Sequence, residues 1–207
     1  MKILTIRIST VFMLDPYIPL LLRNLQEKGY VVSPVKIGPG GFSVIFIEPP
    51  NVIAAKGDTR ISYDFNRRSL AIEGSIPRSV ITALMDVKEC LSSMDIEVSK
   101  ALIPLELNAV AVARLKPRFV ENMYSLMLTE DMNFSLKSVE MGLAMSDSDP
   151  NSSKWLHIRI TPLWSSYRAP GEENLYEVVI VYRDDERKII YLVENLEEAL
   201  KKIIQMV

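Results

Sequence analysis

Arg60-Ile61-Ser62-Tyr63-Asp64-Phe65-Asn66-Arg67-Arg68-Ser69-Leu70-Ala71-Ile72-Glu73 reads as a β-hairpin, and the architecture follows from it. An extended run reaches a polar Asn66-Arg67-Arg68 turn and a second run returns. Two residues later Ser75 and Pro77 open a helix. Its Val80, Ile81, Leu84, Met85, Lys88 and Leu91 fall at helical spacing, and all but Lys88 are apolar. An antiparallel meander followed by one amphipathic helix is therefore the local unit.

Upstream, residues 3–14 are rich in β-branched side chains. Thr5, Arg7 and Ser9 alternate there with Leu4, Ile6 and Ile8, as on a half-buried strand. Asp15-Pro16 supplies an N-cap and a first-turn proline. Leu21, Leu22 and Leu25 continue an apolar stripe, and Gly29 stands where a helix ends. Residues 30–37 and 42–47 read as extended, whereas 52–55 is weak enough to belong to a connection. The order is β-α-β-β-β-β-α.

The later half repeats it. Residues 105–114 are strand-like, and Pro117 opens a helix with Phe119, Val120, Met123, Tyr124 and Met127 on one side. Residues 134–145, 155–161, 175–182 and 188–193 read as four strands, the last two joined by Arg183-Asp184-Asp185-Glu186. Asn195 and Glu198 form a capping pair ahead of Leu196, Ala199, Leu200, Ile203 and Ile204, with Glu197–Lys201 and Glu198–Lys202 pairs outside. Pro16 and Pro117 lie 101 positions apart, while Ser75 and Asn195 lie 120 apart. Loops at 146–153 and 165–174 absorb nearly all of that difference. The fold expected is α+β: tandem halves, 1–98 and 99–207, forming one curved antiparallel sheet with helices on one face.

A duplicated β-α-β4-α unit resembles the TATA-binding-protein-like fold, and the segment from Gly41 through the meander to Val87 is similar in layout to one half of such a protein. The resemblance covers nearly the whole chain as topology and carries no sequence motif. It implies a concave sheet, on which members of that family carry paired phenylalanines flanked by basic residues. No matching pair can be placed in both halves here, and activity does not transfer with a fold.

Charge argues in the same direction. The 207 residues hold 24 basic and 26 acidic side chains, a net charge of −2. Residues 1–103 carry a net +2 and residues 104–207 a net −4. A saddle that is acidic in one half is a poor partner for phosphate. Cys90 is the one cysteine, so no internal disulfide forms, and no run approaches the roughly 20 apolar residues of a membrane span. A cytoplasmic chain without membrane contact is expected.

Candidate chemistry concentrates on residues 155–161. Alternation sets Leu156, Ile158 and Ile160 on one face and Trp155, His157, Arg159 and Thr161 on the other. An indole, an imidazole and a guanidinium in one row suit a planar or anionic ligand, while an ordinary solvent-facing strand is the plainer alternative. Arg7 and Arg114, on the opening strands of the two halves, would share this exposed face. Gly38-Pro39-Gly40-Gly41 lacks phosphate-loop spacing and reads as a tight turn. Asp184-Asp185-Glu186 and Asp147-Ser148-Asp149 read as polar turns. Cys90 lies on an apolar helix face, where a buried, inert thiol is usual. One histidine and one cysteine fall short of a zinc site, and no cofactor is implied.

The leading expectation is a non-enzymatic binding module that uses its free sheet face, with self-association as a homodimer or another protein as partner. The alternatives are an anionic-ligand protein or enzyme with a cleft near His157 and Arg159, and nucleic-acid binding by the saddle.

Overall fold

The computed structural model describes residues 1–48, 51–98, 102–115, 123–129, 132–137, 140–146, 149–163 and 175–206. In chain order the elements are β1 (Lys2–Phe12), α1 (Ile18–Glu27), β2 (Val31–Val32), β3 (Val35–Gly38), β4 (Gly41–Val44), β5 (Val52–Lys56), β6 (Thr59–Asp64), β7 (Ser69–Gly74) and α2 (Pro77–Ser92). There follow β8 (Leu102–Arg114), β9 (Met123–Thr129), β10 (Met132–Lys137), β11 (Met141–Ala144), β12 (Trp155–Pro162), β13 (Leu175–Asp184), α3 (Glu186–Glu194) and α4 (Leu196–Met206).

The chain is α+β. Nine strands form one sheet in the order β11-β12-β13-β8-β1-β7-β6-β5-β2, and every neighbouring pair is antiparallel. β1 and β8 lie side by side at its centre, and β3–β4 and β9–β10 are separate hairpins. Alternation in β1 buries Ile6, Ile8, Thr10 and Phe12 and turns Arg7 and Val11 outward. A bulge between Ile3 and Thr5 against β8 leaves Leu4 41% exposed, so the inward set begins at Ile6 and not at Leu4.

All four described helices pack on the face that carries these residues. Leu21, Leu22 and Leu25 of α1, Val80, Leu84, Val87 and Leu91 of α2, Ile189 and Val193 of α3, and Leu196 and Leu200 of α4 join Ile6, Ile8, Leu107 and Ile180 in one continuous core. Each such side chain contributes roughly 1.5–3 kcal/mol by leaving water. The buried stripe of α2 is turned from the expected one: Ala83, Val87 and Cys90 are inside, whereas Met85 is 38% exposed. Lys88 pairs with Glu186 and so ties α2 to the start of α3.

Several expected elements are corrected. The 52–55 segment is a sheet strand, and 42–47 leaves the sheet because Ser33-Pro34 interrupts the run. The Ser33 backbone N–H donates to Ile53 and its hydroxyl to Val52 O, which turns the chain into the β3–β4 hairpin. Asp15 does not cap α1. Its carboxylate accepts from Tyr63 Oη at 2.9 Å and pairs with Arg68, and the helix starts at Ile18 with no side-chain cap. Met123, Tyr124 and Met127, expected on a helix, lie on β9, where the backbone pairs in register with β10; Phe119 and Val120 fall outside the described residues. The segment 134–145 divides into β10 and β11. Residues 188–193 are helical, because the Asp185 side chain accepts from Lys188 N and starts α3. Asn195 donates its side-chain amide to Tyr191 O instead of capping α4, while the Glu198–Lys202 pair forms at 2.7 Å.

Among the described residues no helix is long and apolar enough to cross a membrane.

Candidate functional site

The sheet face away from the helices is laid out in rows by the strand registers. One row runs His157, Val181, Asn108, Arg7, Glu73 and Arg60 across β12, β13, β8, β1, β7 and β6. The next holds Trp155, Arg183, Glu106, Ser9, Ala71 and Ser62. On the other side of the first lie Arg159, Val179, Val110 and Thr5. Valines thus occupy the middle of the β12–β13–β8 part, with charged groups around them.

Those charges answer one another. Arg7 lies 3.8 Å from Glu73, Arg60 2.6 Å from Glu48, Arg159 3.9 Å from Glu140, and Arg183 2.7 Å from Glu106. Such solvent-screened pairs add little to stability. Among the described residues each arginine of these three rows thus has a carboxylate partner. Arg183 also donates from Nη1 to the carbonyls of Pro150 and Ser152, which fixes the 149–154 loop at the end of β12. Asp149 in that loop accepts from Asn151 N at 2.7 Å, a turn contact; Asp147 and Ser148 fall outside the described residues.

Trp155, His157, Arg159 and Thr161 lie on β12 as the alternation predicts. The Trp155 and His157 rings stand 6.4 Å apart and are nearly parallel, at 16°. A Cβ on Gly142 of β11 would come within 3.6 Å of His157 Nε2, so the imidazole lies over a position with no side chain. Thr161 Oγ1 is buried without a hydrogen-bond partner. Arg7 shares the row of His157 but stands three strands away, roughly 14 Å. Arg114 is exposed opposite Leu175, in a row beyond Thr161. The six residues face one way without meeting in a single cluster.

Among the described residues, three surface cavities lie along the helices. One of about 380 Å³ sits between the β5–β6 turn and α2, lined by Tyr30, Lys56, Asp58, Arg78, Ser79 and Thr82. Another of 380 Å³ separates α1 from α2, and one of 430 Å³ runs between Pro77, Ile81 and Glu194. The first adjoins the start of α2. Ile76 at its N-cap offers no acceptor, and Asp58 supplies one, taking the N–H groups of Ser75 and Ile76 at 2.9 and 3.0 Å and the Ser75 hydroxyl at 3.2 Å. Burial opposes the Asp58 charge, but these donors outweigh it and hold the carboxyl below its usual range.

Perturbed groups in the core serve packing. Burial pushes the Cys90 thiol up to about 11 and the residue is 2% exposed. Burial and a bond to Asp86 raise Tyr30, and burial with a bond to Asp15 raises Tyr63. Burial and a bond to Asp184 carry Tyr182 up to about 12. Among the described residues no group of three or more His, Cys, Asp or Glu side chains is placed to hold a metal ion. Gly38 to Gly41 forms the β3–β4 turn, with Gly41 at φ +125°.

An aromatic cluster, unremarked in the sequence, closes one end of the sheet. Tyr17 meets Phe42 at 5.7 Å, Phe42 and Phe46 each meet Phe65 at 6.3 Å, and Phe65 meets buried Tyr63 at 4.9 Å. The four outer rings come from three separate segments and pattern reading within one element does not join them. Phe65 placed directly in a hairpin turn was the available signal.

Comparison with protein-family models, curated proteins and solved structures found no significant match to this chain.

Proposed function

We propose that the protein is a non-enzymatic interaction module that receives a protein partner on its open sheet face. The observation that carries this reading is the mutual pairing of Arg7, Arg60, Arg159 and Arg183 with carboxylates around central valines. A neutral mosaic with an apolar centre and a polar rim is the composition of a non-obligate protein interface. It is ill suited to a polyphosphate, whose binding needs unmatched cations. The mirrored strand order about β1 and β8 supports a tandem origin of the halves and a TATA-binding-protein-like topology. With its thiol buried and unpaired, the chain suits a reducing compartment, and we place it in the cytoplasm.

The test is affinity capture from the source lysate with the wild type, with Val110→Lys/Val179→Lys, and with Arg23→Glu on the helical side. The reading requires that the face variant loses the partner and that Arg23→Glu keeps it. Equal capture by all three overturns it. The near-parallel Trp155 and His157 rings and the unpartnered Thr161 hydroxyl favour a second reading, a small-ligand site on β12. It requires that His157→Ala abolishes ligand-induced thermal stabilisation without changing the apo melt.

A further inference from the structure

A second exposed apolar surface lies at the aromatic cluster, apart from the open face. Tyr17, Phe42, Phe46 and Phe65 are 54%, 37%, 36% and 43% exposed, and at roughly 200 Å² for a whole aromatic residue they leave about 350 Å² of ring surface in water. Ile37, 74% exposed, lies directly opposite Phe42 in the β3–β4 register. Met13 and Leu14, 59% and 73% exposed, run from the end of β1 toward Tyr17. Together these seven side chains offer about 700 Å², more than the roughly 300–600 Å² of the largest patch on a typical monomer. It is close to the roughly 800 Å² that each partner contributes to a stable interface of standard size.

We infer that a second copy of this chain docks on this patch, ring cluster to ring cluster about a two-fold axis. A surface that binds itself must match itself in charge. The ion pairs beside the cluster do so: Arg68 with Asp15 at 3.2 Å and Arg67 with Asp64 at 3.9 Å put two cations and two anions at its rim. A rotated copy can therefore set cations against anions, whereas an anionic bilayer meets these carboxylates as well as the cations. The contact is independent of the open-face reading and leaves that face available in the dimer.

Sedimentation equilibrium across a concentration series tests it on the wild type, on Leu14→Asp/Ile37→Asp, and on Arg159→Glu of the open face. The substituted patch residues are largely exposed, and an unchanged melting curve shows that the fold survives. Expected is a wild type at twice the chain mass, a patch variant whose dissociation constant is raised at least about 100-fold, and an Arg159→Glu protein that still dimerises. If the melt of the double variant collapses, Ile37→Ser alone carries the test, with weakened dimerisation expected. A monomeric wild type overturns the inference, as does a dimer that the patch variants leave intact or that Arg159→Glu dissociates. A monomeric wild type that sediments with phosphatidylcholine–phosphatidylglycerol vesicles assigns the patch to lipid and overturns it equally.

Discussion

Asp58→Ala isolates the one side chain that starts α2 from outside the helix. The substitution strips the acceptor from two backbone N–H groups, Ser75 and Ile76, and from the Ser75 hydroxyl. These bonds hold the two residues that lead into α2, and a hydrogen bond to a charged acceptor contributes about 1.5–3 kcal/mol. Water reaches Ser75 and Ile76, both exposed, and replaces part of the loss, which sets the expected cost at about 2 kcal/mol. For a chain of this size that lowers the melting temperature by about 4–8 °C. Asp58→Asn keeps one oxygen and loses the charge, for about half the effect.

The pH dependence has a definite sign. Because the folded carboxyl is held below its unfolded value, its contribution is present above the unfolded pKa of about 3.9 and is lost as pH falls through the lower folded value. Urea titrations monitored by circular dichroism at neutral pH and in acid measure both quantities. The gap between wild type and Asp58→Ala must be full at neutral pH and narrow in acid. A gap below about 0.5 kcal/mol at neutral pH, or one of constant size at every pH, refutes the argument that the Asp58 charge holds the start of α2.

Two further outcomes concern packing. Gly74→Ala introduces a Cβ that meets Val80 Cγ2 at 3.1 Å, Asp58 Oδ2 at 3.2 Å and Thr59 Oγ1 at 3.3 Å. It is expected to cost about 1–3 kcal/mol in the same urea titration, and a neutral result would show that α2 moves away freely. Cys90, buried with its thiol raised to about 11, is expected to resist iodoacetamide in the native protein at mildly alkaline pH and to react in denaturant; equal labelling rates in the two conditions refute its burial.

Local patterns were readable where their cause is local. The β6–β7 hairpin is closed by its own Asp64, whose carboxylate accepts from Asn66 and Arg67 N–H, and Gly29 at φ +85° ends α1. The face of β12 followed from simple alternation. What escaped was decided by distant partners. Asp185 looks the same in sequence whether it tips a hairpin or caps a helix, and burial of Ile189 and Val193 against the core selects the helix. The 52–55 segment has little strand character of its own but finds β6 on one side and β2 on the other. Asp58 holds the residues that lead into a helix beginning 19 positions later, and Phe65 meets two rings of one other segment, Phe42 and Phe46.

The central position of β1 also orders events during synthesis. Ile6 pairs with Gly74 on one side and with Ala109 on the other. At about 5–20 residues per second, roughly two to seven seconds separate the emergence of those two partners from the ribosome. Throughout that interval the first assembly, α1 and α2 on the strands from β1 to β7, has a long unsatisfied margin along β1, and a neighbouring nascent chain on the same messenger can present the β8 that it awaits. Exchange of later halves between polysome neighbours is thus the misassembly this topology must outrun.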